Sequence, residues 1–271
     1  MVDIVDVWAQ LPTARFMKEP WLKSLLRWTD QLEDPPVPGP QDLLAQMDEA
    51  GVQISLISAW QSPVGALISN DEVETAMKTA PERLRGLLSV DLHDPMGAVR
   101  EIKARAKNKS FVGVRIVPWL WDLPPNDRRY YPIYTACIEA GLPFCTQIGH
   151  TGPLKRSEVG RPIPYLEDVL LDFPELVVVG GHVGFPWINE VISLIHKFPN
   201  FYVDTSAYAL HRLPGDLVAL MKEEGRGRIM FGTNSPMLSA ARCLSRIDAL
   251  ELDDEVKHLF LSENARRVFA L

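Results

Sequence analysis

Eight short apolar, β-branched runs recur along the chain, at residues 4–8, 54–59, 84–90, 112–117, 143–147, 176–180, 201–204 and 228–231. Stretches with helical periodicity separate them, at 40–50, 71–80, 95–107, 131–140, 163–173, 187–197 and 214–225. Helix stops precede several runs, at Ala50-Gly51, Ala140-Gly141 and Gly225-Arg226-Gly227, where glycine supplies the left-handed backbone that ends a helix. Strands that alternate with helices pair in parallel, and eight of them close into a (β/α)8 barrel. The 271 residues match the roughly 250 that eight such units need. The expectation is one barrel domain over 1–271, with an insertion at 11–41 after the first strand. A doubly wound open sheet is the alternative, but no G-x-G-x-x-G follows the first run.

Charge bounds the partners. A net charge of −7 and a pI near 5.4, without a basic run, make a poor nucleic-acid or membrane-surface binder. The start, MVDIVDVWAQ, lacks a basic region before a long apolar core, and no window reaches the ~20 apolar residues of a membrane span. Cys137, Cys145 and Cys243 are odd in number and lack metal-type spacing, a pattern of reducing compartments. These features predict a cytoplasmic protein whose partner is a small molecule, with neither nucleic acid nor membrane involved.

Three segments exceed ordinary βα loops: 11–41, 119–132 (WLWDLPPNDRRYYP) and 150–164 (HTGPLKRSEVGRPIP). All follow strands, so all should overhang the barrel mouth, where active sites form. The first carries an amphipathic piece (Trp21, Leu25, Trp28, Leu32) and a stiff DPPVPGP connector. It would also suit a homodimer contact.

Candidate chemistry lies at the carboxyl ends of the strands. Asp6, Trp8 and Gln10 share parity on the first strand and should face inward. The fifth ends at His150, the sixth at His182 and the eighth at Asn234. Two histidines at the ends of neighbouring strands point to a functional pair. His93, His196, His211 and His258 fall in helices or loops, which suits structural roles, with His93 nearest to a strand end. Arg115 on the fourth strand would grip a carboxylate or enolate oxygen with its fork of donors, or else form a salt bridge in the barrel wall. Lys155, Arg156 and Arg161 are solvated loop cations or hold an anionic tail. Trp8, Trp60, Trp119, Trp121 and Tyr208 would give flat apolar walls for an aromatic or acyl substrate, or serve as rim packing. Cys145 has the opposite parity to His150, which argues against it as a nucleophile.

With FCTQIGHTG, LVVVGGHVGFPW and RIMFGTNSPM in its second half, the chain resembles the amidohydrolase-related family, which includes aminocarboxymuconate-semialdehyde and resorcylate-type decarboxylases. The family ends its first strand with D-x-H-x-H, its fifth with a ligand His, its sixth with His-x-G and its eighth with G-[ST]-D-x-P. The resemblance implies that His150 stands at a metal-ligand position and His182 at that of the proton-handling His. Trp8 and Gln10 replace the two first-strand histidines, and Asn234 replaces the eighth-strand aspartate. Indole has no lone pair for a metal, and a carboxamide is a weak zinc ligand. No metal is therefore expected. If zinc or manganese does bind, Asp6, Gln10, His150 and Asn234 would have to hold it.

Three functional readings follow. The first is metal-independent hydrolysis of a lactone, ester, thioester or activated β-keto C–C bond. His182 would be the base, with His150, Gln10, Asn234 and Arg115 stabilising the oxyanion; known relatives include a lactonase that works without metal. The second is non-oxidative decarboxylation of an aromatic or enoic acid. The third is a barrel that only binds a ligand.

Overall fold

The computed structural model describes residues 3–28 and 35–271. Leu32 of the expected amphipathic piece and Asp34 of the connector lie outside the described residues.

Among the described residues ten strands form, in chain order β1 (Ile4–Ala9), β2 (Val52–Ser58), β3 (Trp60–Ser62), β4 (Gly65–Ile68), β5 (Leu84–Leu88), β6 (Phe111–Ile116), β7 (Phe144–Gln147), β8 (Val178–Gly181), β9 (Phe201–Asp204) and β10 (Ile229–Met230). Eight of them make a sheet in the order β1-β2-β5-β6-β7-β8-β9-β10, every adjacent pair parallel. The sheet closes on itself beyond β10. The N–H of Val7 donates to the carbonyl of Phe231 (3.0 Å), that of Asn234 to Trp8 (2.8 Å) and that of Gln10 to Ser235 (3.0 Å). The eight predicted runs are these eight strands, and the fold is the expected (β/α)8 barrel.

Local chemistry explains the helices between them. Helix Pro40–Ala50 ends at Gly51 and helix Tyr131–Ala140 at Gly141, both left-handed with φ of 72° and 65°, as the glycine stops predicted. Ser69 and Glu72 cap helix Asn70–Thr79 reciprocally. Asp94 caps helix Pro95–Arg105, whose first residue is the proline that cannot serve deeper in a helix.

The core has two parts. A broad layer packs the outer face of the sheet (Leu88, Val114, Ile116, Phe144, Val178, Val203, Ile229) against the helices. A smaller cluster draws Leu56, Leu87, Cys145, Val179 and Met230 from five strands to one place, which is the barrel interior, and Phe269 of the last helix packs on it. The three cysteines are free and buried.

Two features were not foreseen. β3 and β4 form an antiparallel hairpin directly after β2, too short to show a period of two. The segment after β10 folds into further helices, among them Ala240–Leu244, Asp254–His258 and Asn264–Phe269. The insertion at 11–41 contains helices Ala14–Met17 and Leu22–Trp28. Its Trp21 turns inward, its ring 5.0 Å from that of Trp119 and 6.1 Å from that of Trp60. Trp21 thus packs inside this molecule, whereas Trp28 is 56% exposed.

Candidate active site

A cavity of about 440 Å³ opens at the carboxyl end of the barrel, where the loops after parallel strands converge. Gln10, His150, His182 and Asn234 line it, from the ends of β1, β7, β8 and β10. Phe16 and Trp21 of the insertion, Trp60 of the hairpin, and Trp119 and Tyr208 supply its walls. Among the described residues, no Asp or Glu lines it, while His211, Arg212 and Arg242 do.

Three residues expected in the cavity lie elsewhere. Trp8 is fully buried and Arg115 is 2% exposed; neither lines the cavity. The Arg115 guanidinium carbon lies 3.7 Å from the centre of the Trp8 ring, and the ring centres of Trp8 and His182 are 4.4 Å apart. Arg115 therefore cannot grip a substrate in this arrangement, because an indole lies against it. Its Nη2 donates to the carbonyl of Val7 (2.7 Å), while Nε and Nη1 have no partner among the described residues. Burial lowers its pKa, opposed by the nearby Cys145, Asp204 and Asp6. Trp121 also stands outside the cavity, edge-on to His93 at 5.2 Å. That contact gives His93 a packing role.

The room for Trp8 is written in glycine. A Cβ on Gly181 would come within 2.2 Å of Trp8 Cζ3, and one on Gly232 within 3.3 Å of Trp8 Cβ. Gly181 and Gly232 thus admit a bicyclic side chain into the barrel, while Gly180 leaves room for Ile148.

His182 is set by Ser206 and, behind it, Asp204. Its Nδ1 lies 2.7 Å from Ser206 Oγ, and its backbone N–H donates to the same oxygen at 3.2 Å. Ser206 in turn donates its hydroxyl to Asp204 Oδ1, which also accepts the Ser206 N–H at 2.9 Å. His182 and Val183 both carry positive φ, 70° and 66°, a conformation non-glycine residues adopt at a cost of order 1–3 kcal/mol each and retain where the surroundings over-determine it. Burial, then the charge of Arg115, then His150 push the His182 pKa down to about 3, so the imidazole is neutral near pH 7. Burial raises Asp204.

Gln10 orients Asn234. Its Nε2 donates to both the backbone carbonyl and Oδ1 of Asn234, each at 3.2 Å. With Oδ1 so engaged, Asn234 turns its Nδ2 donor elsewhere. Asn234 itself has φ 82°, a region asparagine tolerates better than most side chains. Gln147, which the sequence reading passed over, donates Nε2 to the carbonyls of Ile148, Gly149 and His150 at 2.9–3.1 Å. It thereby holds the turn that presents His150, whose ring stacks on Trp28 at 5.3 Å and whose pKa burial lowers.

Asp204 and Ser206 were also passed over. Their signal was the i, i+2 spacing of Asp204-Thr205-Ser206 at the end of the seventh run, which puts both side chains on one face.

The donors present do not fit a divalent ion. Among the described residues, no three His, Cys, Asp or Glu side chains approach one another closely enough to hold one. Trp8 fills ligand space beside His182, and the Gln10 and Asn234 amides bind each other. Asp6, named above as a possible ligand, is committed elsewhere. It accepts the N–H of Trp8 (3.0 Å), the N–H and hydroxyl of Thr233 (2.9 and 2.7 Å) and the hydroxyl of Ser55 (3.4 Å). Of the family's four metal-ligand positions only His150 keeps a strong donor, and with the neutral His182 beside the cavity that makes two imidazoles, where structural and catalytic sites use three or four ligands.

Residues 5–271 match the Amidohydrolase family model. The gamma-resorcylate decarboxylase of Rhodococcus jostii (strain RHA1) is 22% identical, over 84% of this chain and 86% of its own. An uncharacterised TIM-barrel protein of Bordetella bronchiseptica superposes with a TM-score of 0.83 at 25% identity, covering 99% of each chain. A dihydroxybenzoic acid decarboxylase of Polaromonas sp. JS666, solved with manganese and 2-nitroresorcinol, has the same fold at a TM-score of 0.73 and 16% identity, covering 100% of this chain and 98% of its own. The chain belongs to the amidohydrolase family.

Proposed function

We propose that the protein is a carboxy-lyase that removes CO₂ from a small hydroxylated aromatic or enoic acid, with His182 moving the proton and no divalent ion bound. The observation that carries this reading is the polar lining of the cavity. Among the described residues it offers imidazoles, amides, hydroxyls and arginines without a carboxylate, between aromatic walls. Such a lining favours an organic anion with a flat body. The decarboxylase relatives support the same chemistry, although the manganese of the Polaromonas enzyme has no matching donor set here.

The step balances with one shuttling proton. Neutral His182 takes the proton of an ortho hydroxyl (or enol) at its unprotonated nitrogen. Returned to the carbon that bears the carboxylate, that proton yields a β-keto acid. The C–C bond then breaks, its electron pair returns to the ring as phenolate, CO₂ leaves, and solvent supplies the last proton. Asn234 Nδ2 is the donor for the carboxylate. The substrate's negative charge offsets the burial and the Arg115 repulsion that depress His182, raising its basicity when the site is filled.

A second reading, hydrolysis of a lactone, ester, thioester or β-keto bond, is favoured by one observation. An uncharged imidazole at the cavity floor also suits a base toward water. A panel of hydroxybenzoates and enoic acids assayed for CO₂, beside lactones and thioesters assayed for acid release, separates the two. Carbon dioxide in step with phenol, lost in His182→Asn, supports decarboxylation. Acid release alone overturns it in favour of hydrolysis. Ligand affinity unchanged by His182→Asn, with no turnover of either panel, would leave a binding protein.

A further inference from the structure

We propose that Ser206 is a positioning residue for His182, a hydroxyl relay to Asp204 that holds the imidazole as its Nδ1–H tautomer and turns an unprotonated Nε2 to the cavity. The functional half of this proposal rests on the reading of His182 as the proton-transfer group. The structural half stands on hydrogen-bond accounting alone.

A serine hydroxyl has one proton to give. Here that proton goes to Asp204 Oδ1, and Asp204 Oδ1 is an acceptor on independent grounds because it also takes the Ser206 N–H at 2.9 Å. Ser206 Oγ can then only accept from its other neighbours. It does so from the His182 backbone N–H at 3.2 Å and from Nδ1 at 2.7 Å. The Nδ1 nitrogen must therefore carry the proton, and Nε2 the lone pair. Among the described residues Nε2 has no hydrogen-bond partner, while the side chain lines the cavity. Ser206 and Asp204 are both fully buried, so water does not compete for the relay. The left-handed backbone at His182 and Val183 completes the arrangement. It brings the Val183 N–H to the Asp204 carbonyl at 3.2 Å and so ties the imidazole-bearing turn to the strand end that carries the relay.

The arrangement differs from a carboxylate bonded directly to imidazole. The interposed hydroxyl keeps the Asp204 charge one bond further from the ring, so it orients His182 without strongly raising its basicity.

The test is ¹⁵N NMR of the full-length protein labelled at histidine, which reads the tautomer without any substrate. Nitrogen shifts showing Nδ1 protonated and Nε2 bare in the unmodified protein are the expected result. Nε2–H there overturns the proposal outright, with no variant needed. Ser206→Ala should shift His182 toward the Nε2–H tautomer, and Ser206→Thr, which keeps the hydroxyl, should retain Nδ1–H. An unchanged tautomer in Ser206→Ala also overturns it. On whichever substrate the panel identifies, Ser206→Ala should lower kcat about 10- to 100-fold, the range seen when a partner orienting a functional His is lost. KM should hold, and Ser206→Thr should recover most of the rate. A predicted tautomer in a protein that turns over neither panel refutes the reading of His182 as catalyst but leaves the positioning role of Ser206 intact.

Discussion

The guanidinium of Arg115 lies 3.7 Å from the centre of the Trp8 indole, so a fixed cation and an aromatic face lie together at the barrel floor. Such a contact contributes about 2 kcal/mol or more when desolvated. It also leaves little there for a dication, since the indole offers no lone pair and the guanidinium repels one. The unmodified protein, purified without chelators or affinity-tag metals, should hold less than about a tenth of an equivalent of manganese or zinc, because two imidazoles and two mutually bonded amides, with no carboxylate, are a weak set. Trp8→His, Gln10→His and Asn234→Asp combined should bind manganese measurably by calorimetry. Adding Arg115→Met should tighten that binding by removing the like charge. Stoichiometric metal in the unmodified protein would contradict the donor-set argument.

Arg115 also acts on His182. Its charge is the second cause, after burial, of the depressed His182 pKa of about 3. Arg115→Met removes a cation that opposes the imidazolium, so the His182 titration followed by NMR should move upward in pH. A midpoint that stays in place would mean that the Trp8 ring screens the charge.

Asp6 gives a stability prediction with a definite sign. Burial pushes its pKa up to about 7, while in the unfolded chain it ionises near 3.9. Between about pH 4 and 7 the folded protein retains a proton that the unfolded chain has released, so stability from this group falls as pH rises through that window and stays lost above it. Asp6→Asn keeps an acceptor for the N–H groups of Trp8 and Thr233 and has no charge to bury. Urea unfolding at pH 5 and pH 8 should show the variant gaining on the unmodified protein with rising pH, by up to about 3 kcal/mol between the two. A gap that narrows with pH would refute the assignment.

Gly181→Ala tests the fit of Trp8. The added Cβ meets Trp8 Cζ3 at 2.2 Å, closer than packed carbons tolerate, so the ring or the strand must shift. A cost of about 1–3 kcal/mol is expected for such overpacking, with a change in tryptophan near-ultraviolet dichroism. Gly51→Ala, which meets no atom within 4 Å but has φ 72°, serves as the control for strain without displacement and should leave that dichroism unchanged.

The order of strands and helices was legible in the sequence because periodicity and glycine stops are local. Residues 201–204, for example, were read as a strand to the residue, and Gly51 and Gly141 end helices as their backbone freedom predicts. The two histidines and the Gln10–Asn234 amides were also legible, since strand ends point to one face of a barrel whatever its details. What parity could not decide was depth. Trp8, Arg115 and Asp6 all sit at the ends or middles of inward strands. Which of them meets the cavity depends on whether a neighbouring strand leaves space, and Gly181 and Gly232 leave it for the indole. The relay through Ser206 to Asp204 likewise exists only once β8 and β9 lie side by side, 24 residues apart in sequence for His182 and Ser206. Local chemistry, then, determined the barrel and the identity of its polar rim. That the Arg115 cation lies against the Trp8 indole and not in the cavity was decided by packing across strands, because side-chain volume and the partners of buried donors are settled only when distant segments meet.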